Sequence, residues 1–248
     1  MAKNTLSQTL NDLREAFVGL PGENLVALVR YGELSRLAPI QILIVLKQVD
    51  LEKLRQIQEA YHTVKTNHPI SPMVATLEEI DSSTDVFPVT FLEMKQSYEV
   101  LLGEDVLADL DVANEHLRLR CEQELKNLLL RMQTAFLRQR DPKQRAEACG
   151  RFWNAFMRSL GASLMLTGHS WPDDQLKTIQ IAADEMSVDG DALQDARKIA
   201  LGNRRDSPDE LEQAWMVMIQ NAAIAARFVD QLPVHCLAVE ILDSEGDN

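Results

Sequence analysis

Two apolar runs near the N-terminus predict a buried β-sheet. Leu25–Tyr31 and Ile40–Leu46 are short, rich in branched side chains and bounded by polar loops, which is typical of strands covered on both faces. Apolar residues at helical spacing surround them, over 4–18 before the first strand and over 50–67 after the second. Helices that alternate with strands indicate a mixed sheet with helices packed against it.

Shorter segments continue this alternation to about residue 110. Met73–Thr76 predicts a third strand, and Leu77–Ser82 predicts a helix of one or two turns. Phe87–Met94 predicts a further strand because its apolar residues include a β-branched and an aromatic side chain. Tyr98–Leu102 predicts another strand, which ends at Gly103.

Beyond residue 111 the strand signals stop and helical periodicity takes over. A continuous apolar stripe predicts a long helix over 113–140, and it consists of Leu117, Cys121, Leu125, Leu128, Met132 and Phe136. Asp141 followed by Pro142 predicts the start of the next helix. Further helices are predicted from Pro172 and over 190–201. A capping box with a proline at Ser207–Glu210 begins a final long helix, which runs to about residue 232.

These elements predict an α+β protein in which a helical bundle follows a mixed α/β domain. The predicted divisions are an α/β domain over 1–111, a helical bundle domain over 112–240 and a disordered acidic tail over 241–248. The formal net charge of −13 disfavours nucleic acid and anionic membranes as partners, since its field repels phosphate.

The remaining bulk features predict a cytoplasmic location. No apolar run reaches the ~20 residues that a membrane-spanning helix needs, and the first residues carry no apolar signal core. Three scattered cysteines without metal-ligand spacing predict buried thiols and no metal site, and they are Cys121, Cys149 and Cys236.

Five segments in order carry a family resemblance. Arg30-Tyr31-Gly32 precedes the strand at Ile40–Leu46, Ser83–Glu93 and Leu101–Asp105 follow, and His116–Leu125 begins the helical part. In this order and spacing they resemble a bacterial nucleotidyltransferase family of the polymerase-β-like superfamily that has an α-helical C-terminal domain. The resemblance implies a nucleotidyltransferase-like mixed sheet in the α/β domain, with the helical bundle after it.

The residues that would carry the chemistry depart from that family. Active members have a Gly-Ser on the first loop, an Asp-x-Asp or Asp-x-Glu on the second strand and a third carboxylate on a later strand, and these carboxylates hold two metal ions. Here Glu33 follows Gly32 in place of the serine, and a carboxylate repels a triphosphate. Pro39 and Gln41 occupy the positions of the two acids, and Gln41 is neutral.

Few carboxylates remain to replace the lost ones. Glu93, and less favourably Glu99, could serve as the third carboxylate, and Glu33 could join it as a substitute ligand. One carboxylate does not hold two metal ions, so we expect no metal site and treat Glu33 and Glu93 as vestigial catalytic candidates. A solvated loop acid is the simpler interpretation of Glu33.

The sequence also gives a candidate ligand-binding set. By the resemblance, Gly32 stands on the phosphate-binding loop and Gln41 at the position of a metal-binding acid, where it offers a neutral carbonyl oxygen. Separately, basic residues cluster on the predicted 113–140 helix, and its Arg118 and Arg120 could hold an anionic ligand. Ion pairs along an ordinary solvated helix face are the simpler explanation of the two arginines, with Glu115, Glu122 and Glu124 as their partners.

Three hypotheses of function follow. In the first, the chain is a catalytically degenerate nucleotidyltransferase-fold protein that binds or regulates, without a cofactor, and takes a small anionic ligand or a protein partner. In the second, it is an active Mg-dependent enzyme that moves NMP from an NTP, ATP for example, to a small molecule or protein through Glu33 and Glu93. In the third, it is a structural oligomerisation module, a homodimer through the helical domain, for which the alanine- and methionine-rich face over 215–226 is a candidate surface.

Overall fold

The computed structural model describes residues 6–18, 24–32, 39–64, 68–172, 174–202 and 207–233. The chain divides into two compact units, Met1–Val112 and Ala113–Asn248. An N-terminal region with a four-stranded sheet precedes a C-terminal helical region, so the α+β prediction is confirmed.

The described part of the first unit combines four strands and four helices. In chain order these are α1 (Leu6–Val18), β1 (Leu25–Tyr31), β2 (Ile40–Leu46), α2 (Leu51–Thr63), β3 (Ile70–Thr76), α3 (Leu77–Ser82), α4 (Pro88–Gln96) and β4 (Tyr98–Gly103). The strand order is β3-β2-β1-β4. β1 runs antiparallel to both β2 and β4, whereas β2 and β3 are parallel and joined through α2.

Both faces of the sheet are buried, as the apolar runs of β1 and β2 predict. Leu28 and Ile42 belong to the core on one face, which α1 and α2 complete with residues such as Phe17. Val29 and Leu43 belong to the core on the opposite face, which α3 and α4 complete. Successive side chains of a strand point to opposite faces, so neighbouring residues on β1 and β2 serve different cores.

The strand predicted at Phe87–Met94 is wrong, because this segment forms the helix α4. Pro88 occupies the first helical turn, where its missing N–H leaves no hydrogen bond unmade. Phe91 and Met94 stand three residues apart and are both buried, as on one face of a helix. Glu93 therefore lies on a helix and not on a strand.

Two helix boundaries also differ from the sequence prediction. α2 ends at Thr63, where the N–H of Val64 bonds back to the carbonyl oxygen of Tyr61. The helix predicted from Pro172 begins only at Gln175, because the side chain of Asp174 caps it by accepting the N–H groups of the first turn.

β3 is an edge strand that contains a proline. Its register with β2 is continuous from Ile70 to Thr76, through Pro72. Proline fits an edge strand because its missing N–H can face away from the neighbouring strand.

In the described residues of the second unit, all regular secondary structure is helical. Its helices are α5 (Asn114–Arg138), α6 (Pro142–Met165), α7 (Gln175–Met186), α8 (Gly190–Ala200) and α9 (Pro208–Gln231). The predicted starts of α6 and α9 are confirmed. The carboxylate of Asp141 accepts the N–H of Gln144, and the hydroxyl of Ser207 shares a capping box with Glu210.

Large aromatic side chains fill the core of this unit. Trp215 on α9 is fully buried, and its Nε1–H donates to the carbonyl oxygen of Met132 on α5 at 3.2 Å. The ring meets Phe136 and Phe152 edge-on. Most of the alanine- and methionine-rich face of α9 is likewise buried, so it packs within the unit.

Three further sequence predictions, on the cysteines, the C-terminal tail and membrane spans, are tested by the structure only in part. Cys121 and Cys149 are buried free thiols, as predicted, whereas Cys236 and the predicted tail over 241–248 lie outside the described residues. Among the helices that are described, none is long and apolar enough to cross a membrane.

Candidate functional site

A buried arginine marks the end of β1. Arg30 is only 8% exposed, and its Nη1 donates to the carbonyl oxygen of Gly32 at 2.6 Å and to Ser97 Oγ at 3.4 Å. The N–H of Gly32 in turn donates to the carbonyl oxygen of Ser97 at 2.8 Å. These bonds tie the turn after β1 to the connection between α4 and β4. We call Arg30, Gly32, Ser97 and Glu99 the Arg30 site.

Glu99 is the carboxylate of this site. It lies directly across from Arg30 in the β1–β4 register, and its Oε2 is 3.8 Å from Arg30 Nη2. At that separation the charges attract without a short hydrogen bond, and the Glu99 side chain remains 55% exposed. Arg30 Nε is buried and has no hydrogen-bond partner among the described residues. The guanidinium is therefore buried without all of its donors being satisfied, which is costly for a charged group.

The fold explains why Arg30 and Gln41 do not meet on one face. Arg30 alternates with Val29, so it shares the face of Leu28 and of its cross-strand neighbour Ile42. Gln41 pairs with Tyr31, which packs against the opposite core. The sheet thus separates Gln41 from Arg30 and Glu99.

Gly32 itself has an open environment. Its φ of +74° lies in the left-handed region, which glycine adopts without strain. A Cβ added there would meet only the Cγ of Gln41, at an ordinary contact distance of 3.9 Å. The backbone conformation, and not crowding, therefore favours glycine at this turn.

The structure describes only part of the vestigial catalytic set. Glu33 lies outside the described residues, so its convergence with Glu93 stays a prediction. Glu93 is half-buried on α4, and Pro39 is exposed just before β2. Within the described ranges, no group of three or more His, Cys, Asp or Glu residues is arranged to hold a metal ion.

Arg118 and Arg120 form ion pairs along α5. Arg118 Nη1 lies 3.4 Å from Glu122 Oε2 and donates to the carbonyl oxygen of Val229 at 3.2 Å, which links α5 to the end of α9. Arg120 Nε donates to Glu124 Oε1 at 2.9 Å. Both arginines therefore have acidic partners within their own unit, and their predicted role in ligand binding stays a prediction.

A groove in the second unit was not predicted from the sequence. It has a volume of about 340 Å³ between α7 and α8, and its lining residues are Leu176, Gln180, Ala183, Asp184, Gly190, Asp191 and Gln194. The groove is open and shallow, and its two carboxylates are too few to form a metal site.

Sequence reasoning also missed the pairing of Arg30 with Glu99. The available signal was a single charged residue inside an otherwise apolar run, since a charge in a buried strand needs a partner. The identity of that partner depends on the β1–β4 register, which the sequence alone does not give.

The chain matches no protein-family model and no curated protein. Its function is therefore inferred from its own residues.

Proposed function

We propose that this protein is a nucleotidyltransferase-type module that has lost metal-dependent transfer chemistry and works as a binding or regulatory protein for a small anion. The mixed sheet followed by a helical unit agrees with the architecture that the resemblance implies. Fold alone does not establish function, so the proposal rests on the residues at the end of β1.

The observation that carries the proposal is the buried guanidinium of Arg30. A two-metal site needs several carboxylates that converge on one face. Here Glu99 faces a guanidinium at 3.8 Å, and the opposite face presents the neutral Gln41. A positive charge this close to a carboxylate repels a divalent cation and attracts an anion.

The donors of Arg30 indicate how an anion would bind. Its Nη1 is committed to the Gly32 carbonyl and the Ser97 hydroxyl, which fixes the guanidinium in place. Among the described residues, its Nη2 has the long contact to Glu99, whose side chain is half-exposed. A phosphate or carboxylate of a ligand would displace Glu99 and accept a hydrogen bond from Nη2. Such a charge-assisted hydrogen bond contributes about 1.5–3 kcal/mol.

The test is calorimetric titration of the full chain with ATP and with GTP, each with excess Mg²⁺ and with a chelator. We expect binding that persists in the chelator, because a guanidinium needs no metal to hold a phosphate. Glu99→Gln should tighten binding by about three- to tenfold, since a neutral amide competes less for the guanidinium. Glu104→Gln, which removes the same charge from an exposed position after β4, is the matched control.

Two results would overturn the proposal. Mg-dependent transfer of NMP from ATP or GTP that Glu93→Ala abolishes would establish an active enzyme. Binding that is unchanged in Glu99→Gln and in Arg30→Gln would place the anion elsewhere. Because Arg30 is buried, circular dichroism must first show that Arg30→Gln keeps the wild-type helix and strand content.

A further inference from the structure

The long helix α5 carries a second apolar stripe on its outer side. Leu119, Leu130 and Leu137 are 50%, 62% and 80% exposed. At about 100° per residue they lie within roughly 20° of one line, and Leu119 and Leu137 are roughly 27 Å apart along the axis. A helix that is amphipathic toward one core normally presents a polar outer face, so the outer leucines of α5 need a separate explanation.

The outer stripe lies opposite the buried face of α5. The buried residues are Leu117, Cys121, Leu125, Leu128 and Met132, and they point about 160–240° away from the outer leucines on the helical wheel. α6 and α9 pack against that inner face. Among the described residues of the second unit, the outer stripe therefore remains accessible.

We propose that this outer stripe, Leu119, Leu130 and Leu137, is the interface of an antiparallel homodimer. A two-fold axis near the middle of α5 places Leu119 against the partner's Leu137 at both ends. The same axis places Leu130 against the methylene stem of the partner's Lys126. The Nζ of Lys126 is already neutralised by Glu122 at 2.5 Å and Asp230 at 3.5 Å, so its stem can cover apolar surface without an unpaired charge.

The charges at the two ends of α5 select the antiparallel arrangement. Glu115 is exposed at the N-terminal end, and Arg138 and Arg140 are exposed at the C-terminal end. An antiparallel pair brings these opposite charges together and also opposes the two helix dipoles, whereas a parallel pair brings like charges together. Asp141 is the acid nearest to Arg138 and Arg140, and its carboxylate accepts the N–H of Gln144 within its own subunit.

The size of the stripe sets the strength of the dimer. Three partly exposed leucines and their neighbours bury less than the ~1,200 Å² of stable interfaces, which places the contact in the weak, transient class. We expect a dissociation constant in the micromolar range.

Sedimentation velocity of the full chain over a range of concentrations tests the dimer. Wild type should shift from monomer to dimer, and the double substitution Leu130→Lys and Leu137→Lys should weaken association at least about tenfold, because it places charges in the apolar contact. Leu176→Lys, at a 47%-exposed leucine on α7, is the matched control and should leave association unchanged. A monomeric wild type, or an equal loss in the control, would overturn the dimer.

A charge exchange tests the antiparallel direction. Glu115→Arg should weaken association, and adding Arg138→Glu and Arg140→Glu to the same chain should restore it, because opposite charges then meet again at both ends. Failure of the triple variant to recover would overturn the antiparallel arrangement. All substituted positions are exposed, and unchanged thermal melting would show that each variant is folded.

Discussion

Gly103, at the end of β4, is the residue at which a single added methyl group should do most damage to the sheet. Its φ is +80°, and a Cβ built there would lie 2.0 Å from the carbonyl oxygen of Val26. The same oxygen accepts the N–H of Glu104 at 3.0 Å. Gly103→Ala therefore combines backbone strain with a clash against another strand's backbone, which cannot rotate away.

Gly32→Ala separates these two effects. Gly32 has a similar φ of +74°, but its added Cβ would meet nothing closer than 3.9 Å. The left-handed conformation alone costs an alanine about 1–2 kcal/mol. Gly103→Ala must in addition shift the end of β4 and lose one or two hydrogen bonds to β1, at about 1 kcal/mol each or more when a buried group is left unpaired. We expect Gly103→Ala to lower the free energy of unfolding by about 3–5 kcal/mol in total.

Hydrogen exchange of the β1 and β4 amides, followed by mass spectrometry, measures this difference. The three tryptophans of the chain, Trp153, Trp171 and Trp215, all lie in the second unit, so their fluorescence reports whether that unit stays folded. A difference of about 2 kcal/mol between the free energies of unfolding of the two variants corresponds to roughly thirtyfold faster amide exchange in Gly103→Ala than in Gly32→Ala. Equal exchange in the two variants would refute the argument from the close approach of β4 to β1.

Three further predictions concern the second unit. Asn221→Ala should lower the free energy of unfolding by about 2–3 kcal/mol in urea titrations, because the buried Asn221 Oδ1 accepts the N–H of Asp189 at 2.7 Å. Burial raises the pKa of the Cys121 thiol to about 12. At pH 8 a thiol reagent should therefore modify Cys121 only as fast as the unit opens. Mass spectrometry of the labelled protein at increasing denaturant concentrations measures this rate. Backbone hydrogen bonds, of which the one from Lys177 has the largest effect, lower the pKa of Asp174. The stability that this carboxylate contributes is therefore present at neutral pH and is lost as the pH falls below about 4. Asp174→Asn should make the melting temperature decline less steeply with falling pH in this range.

The sequence predicts most of the fold because its strong patterns are unambiguous. The apolar runs of β1 and β2 are too short for typical helices, and the stripe of α5 is too long and regular for a strand. α4 is the exception. In Pro88–Gln96, Val89 and Phe91 alternate as in a strand while Phe91 and Met94 keep helical spacing, and only packing against the sheet decides between the two.

The candidate site is less predictable because it depends on register. Arg30 and Glu99 meet only because β1 and β4 pair in one particular alignment, with a shift between Leu28 and Val29. A one-residue slip would turn Glu99 to the other face of the sheet. The resemblance directed attention to Gln41 and Glu93, and less favourably to Glu99, whereas the structure pairs Glu99 with the cation of Arg30.

Pro72 has a consequence for how these molecules meet one another. An edge strand offers its outer backbone groups to any extended segment, and this is how sheets of separate molecules join into aggregates. In β3 the proline removes one donor from the middle of the strand, and its ring occupies space that an incoming strand would need. Pro72 therefore opposes continuation of the sheet beyond β3 into a neighbouring molecule.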